Sequence, residues 1–224
     1  MNRSTPGSAG APSIPAGAFR RAPSSAAPAP DRPRLRLFAR ICGGLLLAGA
    51  WLLRGPLEAT MLGHMVAQLP MIFFGGLLLG SRTARRSATL ASFDRHGLTG
   101  LTALLILSSY WMIPRVLEAA LTQPLHELAK FASWALLGAV LPSSIARANM
   151  AIQLLCLGSF CAMATLGGML YQEVPEQLCN AYLKDDQALT GAFLIILAVA
   201  AAVGWCIYRF PALNTPTPSA PVRE

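Results

Sequence analysis

Six apolar stretches, each near the ~20 residues a helix needs to cross a bilayer, constrain this chain more than any other feature. They run over roughly 35–53, 57–80, 98–121, 125–146, 149–171 and 188–209. Hydrocarbon offers no partner for backbone N–H and C=O groups, so spans of this length satisfy those groups internally, as helices. With 54% of residues hydrophobic and only 12% charged, the chain has the profile of a membrane protein rather than of a soluble domain. The predicted fold class is all-α: a polytopic bundle of about six transmembrane helices occupying 34–210. Pro70 and Pro142 are expected to kink the second and fourth spans, and Pro114 and Pro124 interrupt the region between the third and fourth. Gly75, Gly76, Gly167 and Gly168 mark places where backbones can approach closely.

The flanks differ in kind. Residues 1–33 are rich in Ala, Pro, Ser and Gly without a hydrophobic period, and read as a disordered tail. Residues 211–224 read as a second flexible tail. The first apolar run begins at Leu35 and is full length, which marks it as an anchor rather than a cleaved signal.

A net charge of +8 elsewhere suggests nucleic acid, but no basic module interleaved with aromatics is present, and the arginines flank the spans. Their expected partner is the lipid bilayer. With six spans, fourteen of the eighteen Lys and Arg residues fall on the side of both termini, and Arg54, Arg115, Lys130 and Lys184 fall on the other. Basic loops stay in the cytoplasm, so both termini are expected there. Cys42, Cys156, Cys161 and Cys206 lie within apolar spans, where a thiol behaves as a small hydrophobe. No nucleotide-binding or hydrolase motif is present, and the chain is read as a protein that is not an enzyme.

Chemistry concentrates in LEATMLGHMVAQLPMIFFGGLLLG, residues 57–80. Met61, His64, Met65 and Gln68 recur at spacings of three and four, so a helix places them on one face, with Glu58 a turn earlier. Polar groups inside a span are costly and face protein or a water-filled cavity. Two thioethers and an imidazole are also soft-metal ligands, suited to Cu(I); as packing residues they would instead be gap-fillers and a hydrogen-bonded core histidine. Cys179, in the polar loop QLCNAYLKDDQ, adds a thiol that metal handling or disulfide exchange could use, or that packing could shield. Arg115 and Glu118, three residues apart, can pair as a structural clamp at the edge of the hydrocarbon. Asp185 and Asp186 suit the N-terminus of the last helix. His96 and His126 read as interfacial side chains.

The runs MLGHMVAQLPMI and KDDQALTGAFLIILA resemble motifs of the bacterial cytochrome c oxidase assembly factor family of CtaG type. The matching positions are Met61, His64, Met65, Asp186, Gln187 and Gly191, within 57–80 and 170–200. Two features depart from that family: Thr60 stands where a second histidine is common, and the chain is shorter, with fewer spans. The resemblance implies a factor for building a heme–copper oxidase. It would aid copper delivery or maturation of the copper-bearing subunit on the periplasmic side, with oxidase subunits and a periplasmic copper donor as partners. On that reading Met61, His64 and Met65 hold copper(I) transiently, Cys179 is a relay, and Arg115, Glu118, Asp186 and Gln187 are structural or gating residues. The alternative is a metal-free scaffold or accessory subunit of a respiratory complex, in which Met61 and His64 are packing residues. A haem or quinone oxidoreductase has too few paired histidines, and a transporter would need intramembrane charges or repeats that the chain does not display.

Overall fold

The computed structural model describes residues 33–173 and 181–213. Cys179 and residues 1–32 and 214–224 of the two expected tails lie outside them, while Pro33 and 211–213 belong to the first and last helices. Among the described residues the chain is helical and contains no strand. Five helices among the described residues are long and apolar enough to cross a membrane, and there are six spans if one bent pair counts as a unit.

The first span is α1 (Pro33–Leu52), followed by the short α2 (Arg54–Glu58). The second opens with a π-helical turn, Gly63–Gln68, that runs directly into α3 (Leu69–Arg86). Its widened backbone bonding is seen where the Leu69 N–H reaches the His64 carbonyl. Pro70 supplies a physical reason: it has no N–H to give, and its ring crowds the carbonyl four residues back, inside that turn. The expected disturbance of the second span is therefore a widened turn, and it falls among the residues of chemical interest. Gly63 is needed there, because a Cβ would collide with the Leu57 carbonyl oxygen.

After α4 (Ala88–Phe93), the expected third span divides into α5 (Leu98–Trp111) and α6 (Pro114–Thr122), bent by 78°. Pro114 begins α6 at a position where its missing N–H costs nothing, and it disfavours helical geometry at Ile113. The span expected over 98–121 is thus broken where Pro114 interrupts it. Pro124 begins α7 (Pro124–Arg147) in the same way, and α7 continues through Pro142. The hairpin of α8 (Met150–Glu173) and α9 (Lys184–Leu213) completes the bundle.

Close approaches set the packing. Gly76, Gly80 and Gly138 bring α3 and α7 together side by side, running in the same direction; a Cβ on Gly76 or Gly138 would strike backbone of the other helix. Gly75 faces Gly43 and Leu47 of α1, while Gly168 and Gly191 press α8 onto α9. Gly167 meets nothing, so that expected contact is absent. Leu136, Leu155, Leu166, Ile196 and Ile207 stay exposed on the outside, while Gln68, Lys130, Ser144 and Gln153 are buried within. Apolar surface on this scale is what a bilayer covers. The chain is a multi-pass membrane protein.

Candidate functional site

The π turn turns His64, Met65 and Gln68 inward, and all three are buried, as is Met61 just before it. Met61 and Met65 enter an apolar cluster with Leu117, Tyr171, Tyr182 and Leu194. His64 and Gln68 enter a polar one, whose centre is Lys130, one of the four basic residues on the side away from the termini. It lies in the second turn of α7 and is 0% exposed.

Three acceptors converge on the Lys130 amine. Its Nζ is 2.7 Å from Glu58 Oε1, 2.9 Å from Gln68 Oε1 and 3.0 Å from His64 Nε2. An ammonium has three N–H donors and no acceptor, so the count closes with Lys130 charged. The tautomer of His64 follows. Nε2 accepts from Lys130, hence Nδ1 carries the hydrogen and donates to Tyr182 Oη at 3.0 Å. The Tyr182 hydroxyl donates in turn to the Glu58 backbone oxygen at 3.0 Å, which closes the circuit on the residue where it began. Gln68 Nε2 donates to Glu58 Oε1 at 2.8 Å and to the Ala50 carbonyl at 3.3 Å.

The loop before α9 and the start of that helix hold the circuit from the other side. Asp186 accepts the backbone N–H of Met61 through Oδ2, so it serves the start of a helix other than its own. The buried Gln187 donates to the Tyr182 carbonyl at 3.0 Å and steadies the loop that presents the phenol. Arg54 of α2 and Glu127 of α7 bridge beside the cluster at 2.9 Å, near solvent.

The other candidates differ in exposure. Arg115 is exposed and Glu118 half-buried on α6. His96 is exposed, and His126 is half-buried with its Nδ1 lacking a hydrogen-bond partner among the described residues. Cys42, Cys156, Cys161 and Cys206 are free thiols in the spans. Met65 also borders an apolar cavity of about 320 Å³, shared with Phe73, Trp111, Trp134, Leu194 and Trp205.

Copper can be tested against this donor set. Coordination of Cu(I) by Met61, His64 and Met65 requires an imidazole nitrogen with a free lone pair. Here Nε2 faces an ammonium and Nδ1 is committed to Tyr182, while both thioethers belong to the apolar cluster. In this arrangement neither imidazole nitrogen has a free lone pair to offer a metal. Among the described residues no group of three or more His, Cys, Asp or Glu could hold a metal ion.

Sequence reasoning placed His64 and Gln68 on one face and Glu58 beside them, but missed Lys130 and Tyr182. Lys130 did carry a signal: in LHELAKFASWALL it is the lone Lys or Arg of the span over 125–146, where an ionisable residue needs a partner. Tyr182 carried none, being one tyrosine in a polar loop. Family models, curated proteins and solved structures were compared with this chain and none matches.

Proposed function

We propose that this chain is an accessory factor of the bacterial inner membrane that assists assembly of a heme–copper oxidase and works without a resident metal. The observation that carries the reading is the meeting of the two segments similar to CtaG-type assembly factors. The partners Met61 and Asp186 are 125 positions apart, and His64 and Tyr182 are 118 apart, yet the first pair braces the buried circuit to which the second belongs. A chain using those segments merely as lipid-facing anchors would have no need to join them. The excess of basic residues beside both termini supports a cytoplasmic placement of the tails, which puts the Lys130 circuit near the periplasmic face, where a copper-bearing oxidase subunit matures. The chain acts there by binding a membrane partner, not by catalysis.

Copper(I) delivery is the second reading. It is favoured by the presence of Met61, His64 and Met65 within little more than one helical turn, and it requires Lys130 to leave His64 before a metal arrives. One experiment separates the two. Cells lacking the gene are assayed for oxidase activity and subunit abundance at low and at ample copper. The metal-free reading expects a deficit that copper does not repair; repair by copper supports delivery, and an unchanged oxidase removes both. Reporter fusions after Arg86 and after Glu176 test the orientation, with cytoplasm and periplasm as the respective expected locations.

A further inference from the structure

The groups around Lys130 Nζ are a carboxylate oxygen, an amide oxygen and an imidazole nitrogen, all within 3.0 Å of one point. Each is a group that also serves as a ligand for divalent metal ions. They converge from α2 and from the π turn, and what stands at their focus is a side chain of α7. Each acceptor is held from behind. Tyr182 fixes the imidazole and the Ala50 carbonyl holds the Gln68 amide, while that amide also donates to Glu58. The neighbouring cation Arg54 is already paired with Glu127.

We propose that the Lys130 ammonium is the resident cation of a metal-like cradle built by Glu58, His64 and Gln68. While it is in place the cradle takes no metal; when the side chain is shortened, the cradle becomes a binding site for an external cation. The inference rests on the metal-free reading above and gives its chemical reason: the soft residues of the π turn lie next to a site that is already charged from within.

Geometry ranks the cations that the opened site would accept. Acceptors 2.7 to 3.0 Å from a nitrogen suit another ammonium without movement. Zinc requires ligands at about 2.0–2.2 Å, so the cradle would have to contract against the bonds that hold it open. A small alkylammonium should therefore fill the vacancy better than a divalent metal, and n-propylammonium replaces the atoms that Lys130→Ala removes.

The test uses the full-length protein in detergent, with metal analysis and thermal unfolding followed by tryptophan fluorescence. Wild type is expected to carry neither copper nor zinc and to melt at the same temperature with or without propylammonium or Zn²⁺. Lys130→Ala is expected to melt lower by about 5 °C or more, since one partner of a buried ion pair is gone. Propylammonium should restore at least half of that loss, Zn²⁺ less, and neutral n-propanol none. One copper or zinc per wild-type chain, lost on His64→Leu, overturns the proposal. So does a Lys130→Ala protein that is as stable as wild type, or that responds to neither cation. If Lys130→Ala does not accumulate, Lys130→Met is compared with Lys130→Met combined with Glu58→Gln. Removing the uncompensated carboxylate should then raise abundance, and no gain overturns the cradle. None of these measurements involves the oxidase, so their failure and that of the assembly role are separately visible.

Discussion

The bundle buries a charged side chain near each end, and the two are stabilised differently. Asp94, at the end of α4, accepts from the Thr99 backbone N–H at 3.1 Å and from Ser144 Oγ at 2.6 Å, with Arg147 at 3.4 Å. Its cation is 22% exposed, and two of its three donors are neutral. Gly97, at φ +74°, lets the chain turn against the Ser144 carbonyl, where a Cβ would have no room. Lys130 has no such local support. Its acceptors belong to other elements, its counter-ion Glu58 is only slightly exposed, and one of its neighbours is an imidazole held in a single tautomer. Asp94 is a clasp between a loop and a helix end, beside a partly exposed arginine. Lys130 is a cation placed inside a span, where the cost of desolvation is recovered only if every donor has a partner. An ionisable group under that constraint is where function is expected in a membrane protein.

The contrast can be broken by substitution, and Lys130→Met should have the largest effect. It leaves Glu58 with its Gln68 bond but no cation, at a cost of about 3–5 kcal/mol, visible as a large fall in melting temperature. A protein that melts like wild type would show that the two ends are equivalent after all. Gly138→Ala comes next. Its new methyl strikes the Phe73 backbone and pushes α7 from α3, with an expected loss of about 2–3 kcal/mol. Hydrogen exchange should show the loosening around His64 rather than around Asp94, and the opposite pattern would assign the glycine seam to the other cluster.

Asp94→Asn keeps an oxygen for Ser144 but removes the charge that faces Arg147, so about 1–2 kcal/mol should be lost in the same melting assay. A loss as large as that of Lys130→Met would mean that the clasp is as demanding as the circuit. The smallest effect is expected for Arg54→Ala. The Arg54–Glu127 bridge is half open to solvent, and pairs of that kind contribute under about 1 kcal/mol. A markedly lower melting temperature would instead join this bridge to the Lys130 circuit.

Much of the fold could be read from hydropathy alone. The spans of α1, α7, α8 and α9 appear within a few residues of their structural limits, because hydrocarbon accepts only helices of that length and composition. The bend at Pro114 was visible as a proline but not as a 78° break, since prolines inside spans are often accommodated, as Pro142 is in α7. At the site, the three- and four-residue spacing of Met61, His64, Met65 and Gln68 was enough to put them on one face.

By itself, then, the sequence determined that this is an all-helical, multi-pass membrane protein and which face of its second span turns inward. Both follow from local rules: the width of the bilayer and the period of the helix. Tertiary structure alone decided what that face meets. The chemistry of His64 depends on which of its nitrogens accepts a hydrogen bond, and that was decided by Lys130, 66 positions away on a helix brought alongside by glycines. A lone cation in an apolar span announces that it needs partners, but only the packing of helices names them.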